Sequence, residues 1–290
     1  MIIVIDNLNY GFHFEIIESI IQKYDFILKI QNNPINKIYL ENIESPEYIK
    51  YINKIYPSIK INQNIDIYDY KIFSTFYYKE LDKYITQINK SSKYFFICHE
   101  VNDNLKKYKN VFYLTPLCNT NNFIYADILP KINQNIYQKS NENNIPIYII
   151  QGRIGTLRRN PKLLYNILSQ SYNYNYKIKI IGRGDLPKIL EPFKDKIIFK
   201  KDLDFEDYHN EFNDVYCILP LITKKTHPQY YKDKLTSSIS YAKAYKCKCL
   251  IDKDLQEIYQ LNNVEVFNDE NDITNAFMKT LKDFYDSKNK

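Results

Sequence analysis

Short runs of β-branched and aromatic residues alternate with longer stretches in which apolar residues recur at helical spacing. In the first half, "MIIVI" reads as a buried strand, and "FHFEIIESIIQKY" follows with Ile16, Ile17, Ile20 and Ile21 on one helical face. Further strands are predicted at 26–30, 37–40, 58–62, 69–74, 94–98 and 111–114, and helices near 46–56 and 77–89. Residues 118–145 carry polar clusters without a sustained period, and their end reads as a linker. The second half repeats the scheme. "IPIYII" is a strand, and a helix begins near Asn160, its cap, with Pro161 in the first turn. "KIKIIGRGDLP" is a strand and turn, "KIIF" a strand, "DFEDYHNEF" a helix and "DVYCILPL" a strand. "KLTSSISYAKAY" is a helix, "CKCLID" a strand, and a terminal helix is predicted at about 272–287. Strands alternating with helices argue for an α/β chain with mainly parallel sheets. The division predicted is an N-terminal domain over 1–143 and a C-terminal domain over 144–290.

Composition changes this picture little. The 29 Tyr, the abundant Ile, Asn and Lys, and the absence of Trp are what an AT-rich genome produces, so they are weak evidence for stacking on bases or sugars. Residues 1–145 hold 16 basic and 15 acidic side chains, and 146–290 hold 24 and 19. The excess in the second half suits a small anionic ligand, but it is too scattered for duplex DNA. Five Cys, mostly inside apolar runs, read as reduced core thiols of a cytoplasmic protein. Cys247 and Cys249 alternate like strand residues without the His or second Cys pair of a zinc set, so no metal is expected. No run approaches the roughly 20 apolar residues of a membrane span.

The scarce residues are more informative. The chain has five Gly, each after a predicted strand: Gly11, Gly152, Gly155, Gly182 and Gly184. Its four Arg fall in two of those turns: Arg153, Arg158 and Arg159 in "GRIGTLRR", and Arg183 in "GRGDLP". Turns need Gly for backbone freedom, but that does not explain the Arg. Arg offers a planar fork to phosphate, and beside a helix start it makes an anion site. There is no GxxxxGK[ST], and "GRGDLP" lacks the third Gly of a dinucleotide fingerprint.

In "GRIGTLRR", Gly152-Arg153 is followed by Arg159 six positions after that Arg. "IIGRG" is a strand-glycine turn, and "NDVYCILPL" a strand ending in Pro220. This arrangement resembles the donor domain of group 1 retaining glycosyltransferases of the GT-B class. The resemblance covers most of 146–260 and implies two Rossmann-like domains facing each other across a cleft. It implies that Arg153 and Arg159 grip the donor diphosphate, joined by Arg158. Gly152, Gly155, Gly182, Arg183, Gly184 and Pro220 would form the nucleotide-binding loops. The family places one acid before a small-residue helix start and another eight positions on. Here those slots hold Asp233, which would meet the transferred sugar, and Tyr241, where the ribose-contacting acid is lost. "YYKDKL" also resembles the acid-Lys-Leu stretch of fucosyltransferase-like enzymes, making Lys234 a further phosphate ligand. Thr236, Ser237 and Ser238 either offer hydroxyls and N–H groups to phosphate or simply cap the helix.

In the first half, His13 and His99 follow predicted strands where related enzymes keep a base or a sugar-contacting histidine. Either suits general-base work. His227 reads as a loop cap and His209 as a surface residue. The expectation is a metal-independent glycosyltransferase with no cofactor, a UDP- or GDP-linked sugar as donor, and a glycan, protein or small-molecule hydroxyl as acceptor. The terminal helix would pack back on the first domain. The rival is a degenerate protein of the same fold that binds a nucleotide or glycan without turnover, and the lost acid favours it. A DNA-modifying module is disfavoured by the modest charge.

Overall fold

The computed structural model describes residues 1–8, 13–28, 37–90, 92–118, 120, 121, 123, 130, 131, 144–152, 154 and 159–289, with the backbone alone at 25–28. The chain forms two compact units. One is Met1–Ile132 with Lys232–Leu235, and the other is Asn133–Tyr231 with Thr236–Lys290. The segment Lys232–Leu235, which a division at 143/144 would give to the second domain, clusters with the first.

The first unit contains β1 (Ile2–Asp6), α1 (Phe14–Leu28), β2 (Lys37–Glu41), α2 (Pro46–Ile55) and β3 (Lys60–Ile61), then β4 (Tyr70–Phe76), α3 (Leu81–Asn89), β5 (Tyr94–Cys98) and β6 (Val111–Tyr113). The six strands are parallel in the order β3-β2-β1-β4-β5-β6. Crossovers run one way from β1 and the other way from β4, so the sheet reverses direction between those two strands. Such a reversal leaves a crevice at the strands' carboxyl ends, where open α/β sheets bind ligands. The strand predicted at 26–30 is corrected, because α1 continues through Leu28 after a kink at Lys23 (φ −131°, ψ 21°). A short apolar run fits either period, and here it extends a helix already nucleated.

The second unit has β7 (Ile147–Gln151), α4 (Pro161–Ser171), β8 (Lys177–Gly182), β9 (Ile197–Lys201), α5 (Phe205–Asn210), β10 (Cys217–Ile218), α6 (Ser237–Tyr245), β11 (Lys248–Asp252), α7 (Lys253–Tyr259), β12 (Val264–Phe267) and α8 (Ile273–Lys288). Its parallel sheet is ordered β12-β11-β10-β7-β8-β9, the same topology, with its switch between β7 and β10. Asn160 caps α4 by accepting from the Lys162 N–H at 3.0 Å. The strand predicted over 214–221 pairs only at Cys217–Ile218, because Pro220 has no N–H to donate and Leu221 turns to φ 51°. The terminal helix, expected to return to the first domain, packs on α4 and β12 and places Phe277 and Leu281 in the second unit's core.

Isoleucines dominate these cores, and some of the tyrosines join them. Tyr48, Tyr113, Tyr148 and Tyr176 are fully buried. The Tyr148 hydroxyl is paired inside, 2.7 Å from Thr280 Oγ1. No described helix is long and apolar enough to cross a membrane.

Candidate functional site

In the second unit the buried strand β7 ends at Gln151, and Gly152 turns the chain at φ 86°. Gly152 lies against Gly182 at the end of β8, where a Cβ would come within 2.4 Å of the Gly152 carbonyl oxygen. The two loops therefore share one tight backbone contact that only glycine permits at 182. Arg159, 4% exposed, donates from Nε to the Gln151 carbonyl at 3.1 Å and from Nη2 to Ser238 Oγ at 2.9 Å. Gln151 Nε2 donates to Ser237 Oγ at 3.0 Å. A guanidinium and an amide thus fasten the carboxyl end of β7 to the first turn of α6.

That first turn has no side-chain cap. Thr236 occupies the capping position, but its hydroxyl accepts no backbone N–H, and buried Oγ1 has no partner. Gln151 Oε1 is likewise buried and unpaired. A positive helix end, a buried cation and unsatisfied polar groups collected at the switch of a parallel sheet suit an anion such as phosphate.

Gly184 turns at φ 96°, Arg183 is exposed, and Pro220 is buried after β10. Arg153, Gly155 and Arg158, together with Gly11, lie outside the described residues. Tyr241 is buried in a stack, its ring 4.7 Å from Phe212 and 5.5 Å from His209. His209, expected on the surface, is corrected. It is 1% exposed, with Nδ1 2.8 Å from the Tyr245 hydroxyl. His227 is also buried, its Nδ1 2.7 Å from Thr226 Oγ1.

The other predicted residues gather in the first unit. His13 opens α1 at φ 65°, a conformation uncommon for a non-glycine residue. Its Nδ1 lies 3.2 Å from Glu15 Oε1, and its ring centroid is 4.0 Å from that of His99. His99 follows β5, stacks on Tyr77 at 5.9 Å, and has a buried, unpaired Nε2. Val101 N–H donates to the Asp233 carbonyl at 2.8 Å, and Glu100 forms an antiparallel bridge with Lys234, reinforced by an ion pair at 2.7 Å. Asp233 Oδ1 is buried and unpaired. His13, His99, Asp233 and Lys234 thus share one unit, while Arg159, Thr236, Ser237 and Ser238 belong to the other.

Burial first, then the neighbouring His13, brings the His99 pKa down to about 3, so the ring is neutral near pH 7. Burial pushes Glu15 up, but the hydrogen bond and charge of His13 outweigh it, and the carboxyl lies below its ordinary range. The His99 shift has a stability consequence. Unfolded, His99 takes a proton as pH falls through about 6.5, whereas folded it resists until about 3, so stability declines across that window as pH drops. Between pH 7 and 5 the wild type is expected to lose roughly 2 kcal/mol more than His99→Asn, measured by urea unfolding. The raised Glu18 carboxyl works in the opposite sense but is common to both proteins and cancels.

Sequence reasoning missed Gln151, Glu15 and Glu100. A polar residue closing the apolar run of β7 and an acid two positions from His13 were the available signals. All five cysteines are buried and free, and the described residues contain no His, Cys, Asp and Glu cluster able to hold a metal.

The paired 3-2-1-4-5-6 sheets define a two-domain α/β chain with the GT-B nucleotide-sugar glycosyltransferase-like fold. Among solved structures it is similar to the lipopolysaccharide outer core galactosyltransferase WaaB in its apo form, with TM-score 0.54 and 11% identity over 97% of this chain and 90% of that one. It is similar to UDP-GlcNAc 2-epimerase from Neisseria meningitidis bound to UDP-GlcNAc, with TM-score 0.55 and 11% identity over 97% and 92%. Anabaena HepE in complex with UDP and glucose also matches, with TM-score 0.55 and 9% identity over 98% and 92%. No protein-family model and no curated protein sequence matches the chain. At these identities the likeness is one of fold.

Proposed function

We propose that this protein is a cytoplasmic glycosyltransferase that moves a sugar from a nucleotide-sugar donor to an acceptor hydroxyl without a metal. The second unit would bind the donor and the first the acceptor. Arg159 and the uncapped start of α6 would stabilise the charge growing on the leaving diphosphate, with Arg153 and Arg158 adding to it. His13 or His99 would take the acceptor proton or orient the sugar, and Asp233 would hold a sugar hydroxyl. The observation that carries this reading is the buried Arg159 bonded to both the β7 end and the first turn of α6 at the sheet's switch. HepE with UDP and glucose, and the epimerase with UDP-GlcNAc, favour UDP as the carrier.

A nucleotide- or glycan-binding protein without turnover is the second reading, favoured by Tyr241 standing packed in a stack where an acid is expected. Incubation with UDP-glucose, UDP-GlcNAc and GDP-mannose plus mixed sugar and peptide acceptors separates them. Nucleotide diphosphate released with sugar appearing on an acceptor supports transfer. A new nucleotide-sugar isomer would point to epimerisation. Saturable binding with unchanged donor supports the second reading.

A further inference from the structure

Asp233 stands far along the chain from His99, and a short junction brings it into the same unit. Lys232–Leu235 clusters with the first unit. There the chain runs antiparallel to the residues that follow β5, with Glu100 paired to Lys234. The Val101 N–H donates to the Asp233 carbonyl at 2.8 Å. Glu100 itself has no task in the reading above.

The register of this junction decides which side chains meet. The Val101–Asp233 bond lies one step outside the Glu100–Lys234 pair, so that pair is of the non-hydrogen-bonded kind, in which side chains approach closest. Glu100 Oε1 and Lys234 Nζ accordingly meet at 2.7 Å. Side chains alternate along paired segments, so His99 and Asp233, each one position before the pair, turn to the opposite face. Each carries an orphan: His99 Nε2 and Asp233 Oδ1 are buried and without a hydrogen-bond partner. Buried polar groups are nearly always bonded, so two of them brought to one face call for a reason. The charge of Lys234 is felt at the His99 ring, together with those of His13 and Glu15.

Stability is a poor account of the ion pair. The two side chains are 43% and 42% exposed, and a pair that wet contributes little to folding. Its effect is on place. A slip of one residue would turn Asp233 to the other face, and the opposed charges of Glu100 and Lys234 disfavour that slip.

We propose that Glu100 is a positioning residue: by pairing with Lys234 it fixes the register of Lys232–Leu235 and keeps Asp233 on the same face as His99. That the two then act on one sugar rests on the transferase reading; the register does not.

The test uses the full chain, labelled at its histidines for NMR, without substrate. Asp233→Asn is expected to move the ring signals of His99 and to leave those of His209 and His227 in place. Glu100→Lys sets two ammonium groups opposite each other, which should speed amide exchange at Val101 about tenfold. In that background the His99 signals should no longer respond to Asp233→Asn. The charge swap, Glu100→Lys with Lys234→Glu, should restore both the slow exchange and the response. A brace that served stability alone would change the melting temperature and leave the response of His99 to Asp233→Asn intact. If Glu100→Lys does not fold, Lys234→Glu carries the same prediction. His99 signals that respond to Asp233→Asn in every background or in none, or a swap that restores nothing, would overturn the proposal. Transfer assays separate it from the reading it serves. Where turnover is found, Glu100→Lys should lower kcat about tenfold while the donor KM changes by less than about twofold, and the swap should recover it. A loss confined to KM would also overturn the proposal. No turnover with any donor, alongside the expected His99 pattern, would keep the register role and remove the transferase reading.

Discussion

Replacing Arg159 with alanine is expected to weaken nucleotide diphosphate binding about a hundredfold and to destabilise the second unit by roughly 3 kcal/mol. Both effects have one origin. The guanidinium is buried and bonded to the Gln151 carbonyl and Ser238 Oγ, so truncation strands two polar groups and leaves a void. It also removes the fixed positive charge beside the uncapped start of α6, where an anion is favoured. Arg159→Lys should restore little of either, because a lysine ammonium cannot reproduce the two-pronged geometry. Calorimetric titration with UDP, alongside urea unfolding, separates the two losses. If Arg159→Ala lost stability but kept full UDP affinity, the arginine would be a structural brace and the anion site would lie elsewhere.

The second large effect belongs to Gly182. Gly182→Ala should cost about 3 kcal/mol or more, or prevent the second unit from folding. The added Cβ would stand 2.4 Å from the carbonyl oxygen and 2.6 Å from the carbonyl carbon of Gly152, and both are backbone atoms that cannot swing aside. The φ of 155° adds strain of its own for an L side chain. Relief would require the β7 and β8 loops to part, which moves Gly152 away from Arg159. Residual nucleotide binding in any folded fraction should therefore fall as well. Thermal unfolding followed by circular dichroism checks it, and a Gly182→Ala protein as stable as wild type would show that the two loops do not hold this contact.

Much of this was legible in the sequence, and the reasons are local. Asn160-Pro161 is a helix start whose chemistry is contained in two residues, and the structure places the cap there. "MIIVI" and "IPIYII" are apolar on both faces, as inner parallel strands must be, and they lie beside the switch of their sheets. The glycines and arginines stood out because the rest of the chain is so poor in both. What was not legible depends on contacts distant in sequence. His209 lies on a helix of six residues, too short for periodicity to assign a face, and it is buried by Tyr241 and Tyr245 from another helix. The helix α7 and the strand β12 are similarly short. In sequence Asp233 and Lys234 resemble a donor-domain motif, but strand-like pairing to Glu100 and Val101 draws them into the first unit.

Donor binding without a metal is tested most directly by a thermal-shift titration of the full chain with UDP, GDP, dTDP and CMP in the presence of EDTA. A nucleoside diphosphate is expected to stabilise the chain saturably, by about 2.7 kcal/mol at a hundred times its Kd. No shift from any of the four, in protein shown by circular dichroism to be folded, would contradict it.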